Sequence, residues 1–193
     1  MFANHFEKGD EGLRNLAKAN GKHRPISVLS IPELRARPRP TWLLRGLLLR
    51  TGLAVVYGSS GAGKTFAVLD MACAVGRGIP WFGRRVKRGH VVYVAAEGAL
   101  WLRLDAYIKH HRITDNELDG LAVVEQPVNL LDPGGDLENL IQAIHEAIAQ
   151  RSWDSVDLIV VDTLNRAMPG GNENASEDMG RMVEAAKTIE RAF

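Results

Sequence analysis

From Leu53 onward, short unbroken apolar runs alternate with longer stretches in which apolar residues recur every three or four positions. Leu53–Tyr57 (Leu-Ala-Val-Val-Tyr) lies between Gly52 and Gly58 and reads as a buried strand. Val91–Ala96, Leu121–Glu125 and Leu158–Val161 read the same way. Between these runs the helical period of about 3.6 residues takes over. It predicts helices over Lys64–Val75, stopped by Gly76 and Gly78, and over Ala99–His110, Asp136–Arg151 and Ser176–Ala192. In the third of these, Leu137, Leu140, Ile141, Ile144 and Ile148 form one stripe; in the last, Met179, Met182, Val183 and Ala186 share a face. Strands apolar on both sides that alternate with helices predict an α/β fold, a parallel sheet between two helical layers.

The region before Leu53 is less regular. Residues 1–25 are polar and carry Gly9, Gly12 and Gly21, which predicts a mobile tail or a partner-docking arm. The folded domain is expected over residues 26–193. Ile26–Leu29 is a candidate short strand. Ser30-Ile31-Pro32-Glu33 matches a capping box, in which Ser30 caps the helix and Glu33 reaches back to its backbone. That helix must be short, because Pro38 and Pro40 break it. Trp42–Leu49 is an apolar lead-in.

Composition narrows the setting. Hydrophobic residues make up 46% of the chain and charged residues 24%, with a net charge of +1. No global field singles out nucleic acid or a membrane surface. No apolar stretch approaches the roughly 20 residues of a membrane span, and the start of the chain lacks an apolar signal core. The single cysteine, Cys73, makes no intrachain disulfide and no Cys-rich metal site. A cytoplasmic protein with no membrane partner is expected.

The chemistry begins at Gly58-Ser59-Ser60-Gly61-Ala62-Gly63-Lys64-Thr65, which meets the P-loop spacing G-x-x-x-x-G-K-[ST] in full. A phosphate chain must be wrapped by backbone N–H groups, and glycines let the backbone curl close to it. The following helix presents unpaired N–H groups and the positive end of its dipole. In this pattern Lys64 reaches the β- and γ-phosphates of ATP and the Thr65 hydroxyl binds Mg2+. A plain Gly-Ser loop is the alternative; the predicted strand before and helix after it favour the P-loop.

Two carboxylates can complete such a site. Asp157 and Asp162 flank Leu158–Val161. Ligands of open α/β sheets gather at the carboxyl ends of strands. Asp162, at that end, is the candidate for the Mg2+ shell, and Asp157 lies at the far end; capping of the next turn is the alternative role for Asp162. Glu97 follows Val91–Ala96 and also stands at a carboxyl end. A carboxylate there can orient and deprotonate an attacking water, or it can merely cap the following helix or face solvent.

Four blocks extend the pattern: PTWLLRGLLLRTGLAVVYGSSGAGKT, GRGIPWFGRRVKRGHVVYVAAEGA, DLIVVDTLNRAMPGGNENASEDMG and RMVEAAKTIERAF. Together they resemble the RecA-like AAA ATPases of the RepA hexameric replicative-helicase type, common on mobile elements, over roughly residues 26–193. The resemblance implies a three-layer α/β/α P-loop NTPase fold with a RecA-like parallel sheet. It also implies homohexameric rings with ATP at subunit boundaries, Glu97 and Lys64 as catalytic residues, and single-stranded DNA as a partner. Met168–Ser176 matches the loop that points into the ring, but it carries no lysine or arginine of its own. RecA-like domains continue into a further strand, a sensor residue and an arginine finger. None of these lies before Phe193, so the chain as given is expected to bind nucleotide and hydrolyse it slowly.

Weaker signals remain. Arg84, Arg85, Lys87 and Arg88, and separately Arg35, Arg37, Arg39, Arg45 and Arg50, are basic clusters that fit a nucleic-acid backbone or, more simply, a solvated face or subunit contact. Trp42 and Trp81 fit base stacking or, more simply, a core or interface. The six histidines show no metal-ligand spacing. Two further functions stay open: a non-hydrolysing ATP-binding partner protein, and a small-molecule P-loop kinase, which would need an arginine-rich lid that the acidic second half does not offer.

Overall fold

The computed structural model describes residues 26–96, 98–132 and 134–193. The chain divides into two units, residues 1–39 and 40–193. In the first, Ile31–Arg35 is a short helix, α1, and the Ser30–Glu33 capping box forms. The Ser30 N–H donates to Glu33 Oε2 at 2.8 Å. Ile26–Leu29, a candidate strand, pairs with nothing among the described residues and is largely exposed. The expectation of a tail over residues 1–25 falls outside them.

In the second unit, the lead-in folds into a small antiparallel hairpin, β1 (Trp42–Leu44) and β2 (Leu48–Leu49). Leu43 and Leu44 are fully buried. Helix α2 (Lys64–Arg77) follows. Then come β3 (Val91–Ala95), α3 (Leu100–His111), β4 (Leu121–Val124), α4 (Asp136–Arg151), β5 (Leu158–Asp162) and α5 (Ser176–Ala192). The three strands β3, β4 and β5 form one parallel sheet with β3 in the middle, in the order β4-β3-β5.

Each face of the sheet carries its own core. Val91, Tyr93 and Ala95 of β3 and Leu158 and Val160 of β5 pack with Leu69, Ala72 and Cys73 of α2 and Leu100 and Tyr107 of α3. Val92, Val94, Ile159 and Val161 turn the other way, onto Leu137, Leu140 and Ile144 of α4 and Met182, Ala185 and Ile189 of α5. This is the α/β/α sandwich expected from the alternating runs. The helix boundaries move by at most two residues: α2 runs on through Gly76 to Arg77, and Gly78 ends it in the left-handed region at φ 69°. Gly76 tolerates the helix interior because it faces Gly120; a Cβ there would stand 3.3 Å from the Gly120 carbonyl carbon. On α5 the buried stripe is Met182, Ala185 and Ile189, with Met179, Val183 and Ala186 half-buried beside it.

One expected element does not form. Leu53–Tyr57 pairs with no other strand among the described residues, and Tyr57 is 91% exposed. Its start is anchored: the Gly52 N–H donates to Glu190 Oε1 at 2.7 Å, and Arg50 Nη2 donates to Asp157 Oδ1 at 2.5 Å. A strand exists only through a neighbour's N–H and C=O groups. Among the described residues no backbone lies against Leu53–Tyr57 to supply them. The expectation of a buried strand is corrected here: the composition suits a strand, but neither the pairing nor the burial is made.

Candidate nucleotide site

The glycine-rich loop enters α2 through Gly63, whose φ of 80° is left-handed and free of penalty only for glycine. No side chain caps the helix, so its first N–H groups remain open donors at the positive end of the dipole. Lys64 turns back into the loop. Its ammonium donates to the Gly58 carbonyl at 2.9 Å and to the Ser59 carbonyl at 3.0 Å. A cation held only by two neutral carbonyls can exchange them for charged phosphate oxygens at a net gain. Gly58, Ser59, Ser60, Gly61, Ala62 and Gly63 are all exposed, whereas Lys64 and Thr65 are half-buried.

The two aspartates around β5 separate sharply. Asp157 is 7% exposed at its side chain and is occupied: it takes Arg50 on Oδ1, and the His90 N–H donates to Oδ2 at 3.2 Å. Asp162 closes the strand at the other end. Strand alternation turns it to the face of Leu158 and Val160, the face covered by α2. It therefore shares a side of the sheet with Lys64 and Thr65, which open α2. The Tyr93 hydroxyl donates to Asp162 Oδ2 at 2.7 Å. Burial, and then the Asp162 carboxylate, push the Tyr93 phenol well above its usual value, so it stays a neutral donor.

Glu97 lies outside the described residues. Ala96, just before it, donates its N–H to the Asp162 carbonyl at 2.9 Å, which ties the end of β3 to the end of β5. Arg103 on α3 holds its guanidinium carbon 5.9 Å from the centre of the Phe66 ring, in the first turn of α2. Neither Tyr93 nor Arg103 stood out in the sequence. The signal for Tyr93 is strand alternation combined with register, and register becomes available only once Tyr93 is paired with Val160.

The donor set fits Mg2+. A threonine hydroxyl and a carboxylate are hard oxygen ligands, and this ion is held by one or two protein oxygens with phosphate oxygens and waters completing its shell. The match extends along the chain. Residues 22–193 fit the family model of an AAA domain. The chain belongs to this family of P-loop ATPases. No curated protein is similar enough to match it. The fold of this AAA domain implies a nucleotide ligand, with the Gly58–Thr65 loop as the candidate cradle.

Other sequence signals of the AAA domain find structural partners. Trp81 donates from Nε1 to Asp70 Oδ2 at 2.9 Å, a packing role. Arg88 donates to Asp119 at 3.1 Å and Arg84 to the Arg45 carbonyl at 3.2 Å. The Met168–Ser176 segment begins at a fully buried Met168, and the Asn172 N–H donates to Asp178 Oδ2 at 2.9 Å. A depression of about 260 Å3 lies beside it, lined by Asn129, Asp132, Gly170, Asp178 and Arg181, away from the glycine loop. No described helix is long and apolar enough to cross a membrane.

Proposed function

We propose that this AAA domain is the ATP-binding, Mg2+-dependent ATPase module of a ring-forming DNA helicase or replication motor. The observation that carries the reading is Lys64, folded into its own loop at the head of α2 and on the same side of the sheet as Asp162. The loop N–H groups and the α2 N-terminus wrap the β- and γ-phosphates, and Lys64 leaves its two carbonyls for their oxygens. Thr65 and Asp162 hold Mg2+. When bound, the ion neutralises charge that develops on the phosphate oxygens. Glu97 orients the attacking water and accepts its proton. ATP at a subunit boundary and single-stranded DNA in the centre of a homohexamer follow from the RecA-like resemblance.

The test is ATP hydrolysis by the purified protein with and without single-stranded DNA, alongside sedimentation with ATP. DNA-stimulated turnover and a hexamer support the motor. The absence of both stimulation and assembly would overturn it. A second reading, a non-hydrolysing ATP-binding partner protein, draws on Leu53–Tyr57, which leaves the glycine loop outside the sheet ladder. ATP binding without turnover in any assembly selects that reading.

A further inference from the structure

The Tyr93–Asp162 hydrogen bond crosses the sheet diagonally. Ala95 is the register partner of Asp162, and Tyr93 lies two residues back on the same face. The long tyrosine side chain spans this offset between the two parallel strands, as the 2.7 Å bond shows. Tyr93 is fully buried, among the largest side chains of the α2 face, and its ring is fixed by that core. Its hydroxyl donates to one oxygen of Asp162, Oδ2, at 2.7 Å. A free aspartate at a strand end can rotate about two bonds. Here one oxygen is held by a ring that cannot move without disturbing the core.

We propose that Tyr93 is a positioning residue for Asp162, fixing Oδ2 so that Oδ1 is presented to the metal–nucleotide complex. The proposal rests on the reading of Asp162 as a Mg2+-shell residue. Groups that orient metal ligands typically contribute about 10–100-fold in metal affinity. Arg103 is the charged group of α3 that acts on Tyr93. It favours the phenolate and so opposes rather than explains the neutral hydrogen bond.

The test is a Mg2+ titration of fluorescent-ATP binding in four proteins: the parent, Tyr93→Phe, Asp162→Ala and the double variant. Melting without ligand is measured in each. Tyr93→Phe should raise the Mg2+ concentration for half-maximal tightening about tenfold, leave Mg2+-free nucleotide affinity unchanged, and add nothing in the Asp162→Ala background. If Asp162→Ala shifts the titration and Tyr93→Phe does not, the positioning role is overturned while the site stands. If Asp162→Ala shifts nothing, the site reading itself falls and the positioning role with it. Should Tyr93→Phe fail to fold, the near-ultraviolet phenol band replaces it. Asp162→Ala should shift that band, and Asp162→Asn, which keeps an acceptor, should shift it less. No shift in either overturns the proposal.

Discussion

Asp157 and Asp162 bracket β5, and the first is locked to Arg50 at 2.5 Å while the second accepts from the neutral Tyr93 hydroxyl at 2.7 Å. The same residue type at the two ends of one strand therefore does different work. Asp157→Ala strips the His90 N–H and Arg50 of their acceptor. The unfolding free energy should fall by about 1–3 kcal/mol, the cost of an unsatisfied buried donor. Asp162→Ala leaves the buried Tyr93 hydroxyl without its acceptor and should cost a similar amount, but it should also weaken the Mg2+ dependence of nucleotide binding, which Asp157→Ala should leave intact. Chemical denaturation and Mg2+ titration compare the two variants directly, and a lost Mg2+ dependence in Asp157→Ala would contradict the assignment.

Lys64→Ala removes the side chain that donates from α2 to the Gly58 and Ser59 carbonyls of the glycine loop. Nucleotide affinity should drop at least about tenfold, or 1.4 kcal/mol. The melting temperature without ligand should stay close to the parent, because the ammonium contacts two exposed carbonyls. Titration calorimetry with ATP reads the first effect and thermal melting the second.

Glu97→Gln tests the proposed base. Turnover should be lost while ATP binding persists, because an amide can still hold a water and cannot take its proton. Loss of binding and turnover together would assign Glu97 to the ligand rather than to the water.

Gly120 is where α2 meets the start of β4. A Cβ on it would lie 2.7 Å from the Gly76 carbonyl oxygen and 2.9 Å from the Gly76 Cα. Both atoms are backbone and cannot swing aside. Gly120→Ala should destabilise the fold by about 1–3 kcal/mol, measurable as a lower denaturation midpoint. A midpoint equal to the parent's would show that helix and strand separate freely.

Cys73 sits in the core between α2 and the sheet, and burial pushes its thiol up to about 12. It should resist alkylation at neutral pH in the folded protein and react once unfolded. The unfolded thiol loses its proton near its ordinary value of 9.0. Above that pH the unfolded state binds fewer protons than the folded one, so stability falls as pH rises from about 9 toward about 12. Denaturation across that range, compared with Cys73→Ala, isolates the contribution.

Much of the fold was legible because its signals are local. Asp136–Arg151 and Ser176–Ala192 begin and end where periodicity puts them. Ser30 and Glu33 form their box because both partners lie within one turn. Leu53–Tyr57 shows the limit: five residues can carry strand composition, but a ladder needs a second backbone, and composition does not name it. Tyr93 shows the same limit at the site. Its bond to Asp162 joins residues far apart in sequence through a register that only the folded sheet defines.

That register also works as an alignment key. Along β5, Leu158, Val160 and Asp162 point to α2, and Ile159 and Val161 point to α4 and α5. A slip of one residue would exchange the two sets. Asp162 would swing to the far side of the sheet, and both apolar layers would lose their matching residues in the same step. The chain cannot misplace its carboxylate without tearing two cores at once. Accuracy at the site is thus inherited from packing several ångströms away, and insertions or deletions within residues 157–162 should be far less tolerable than substitutions there.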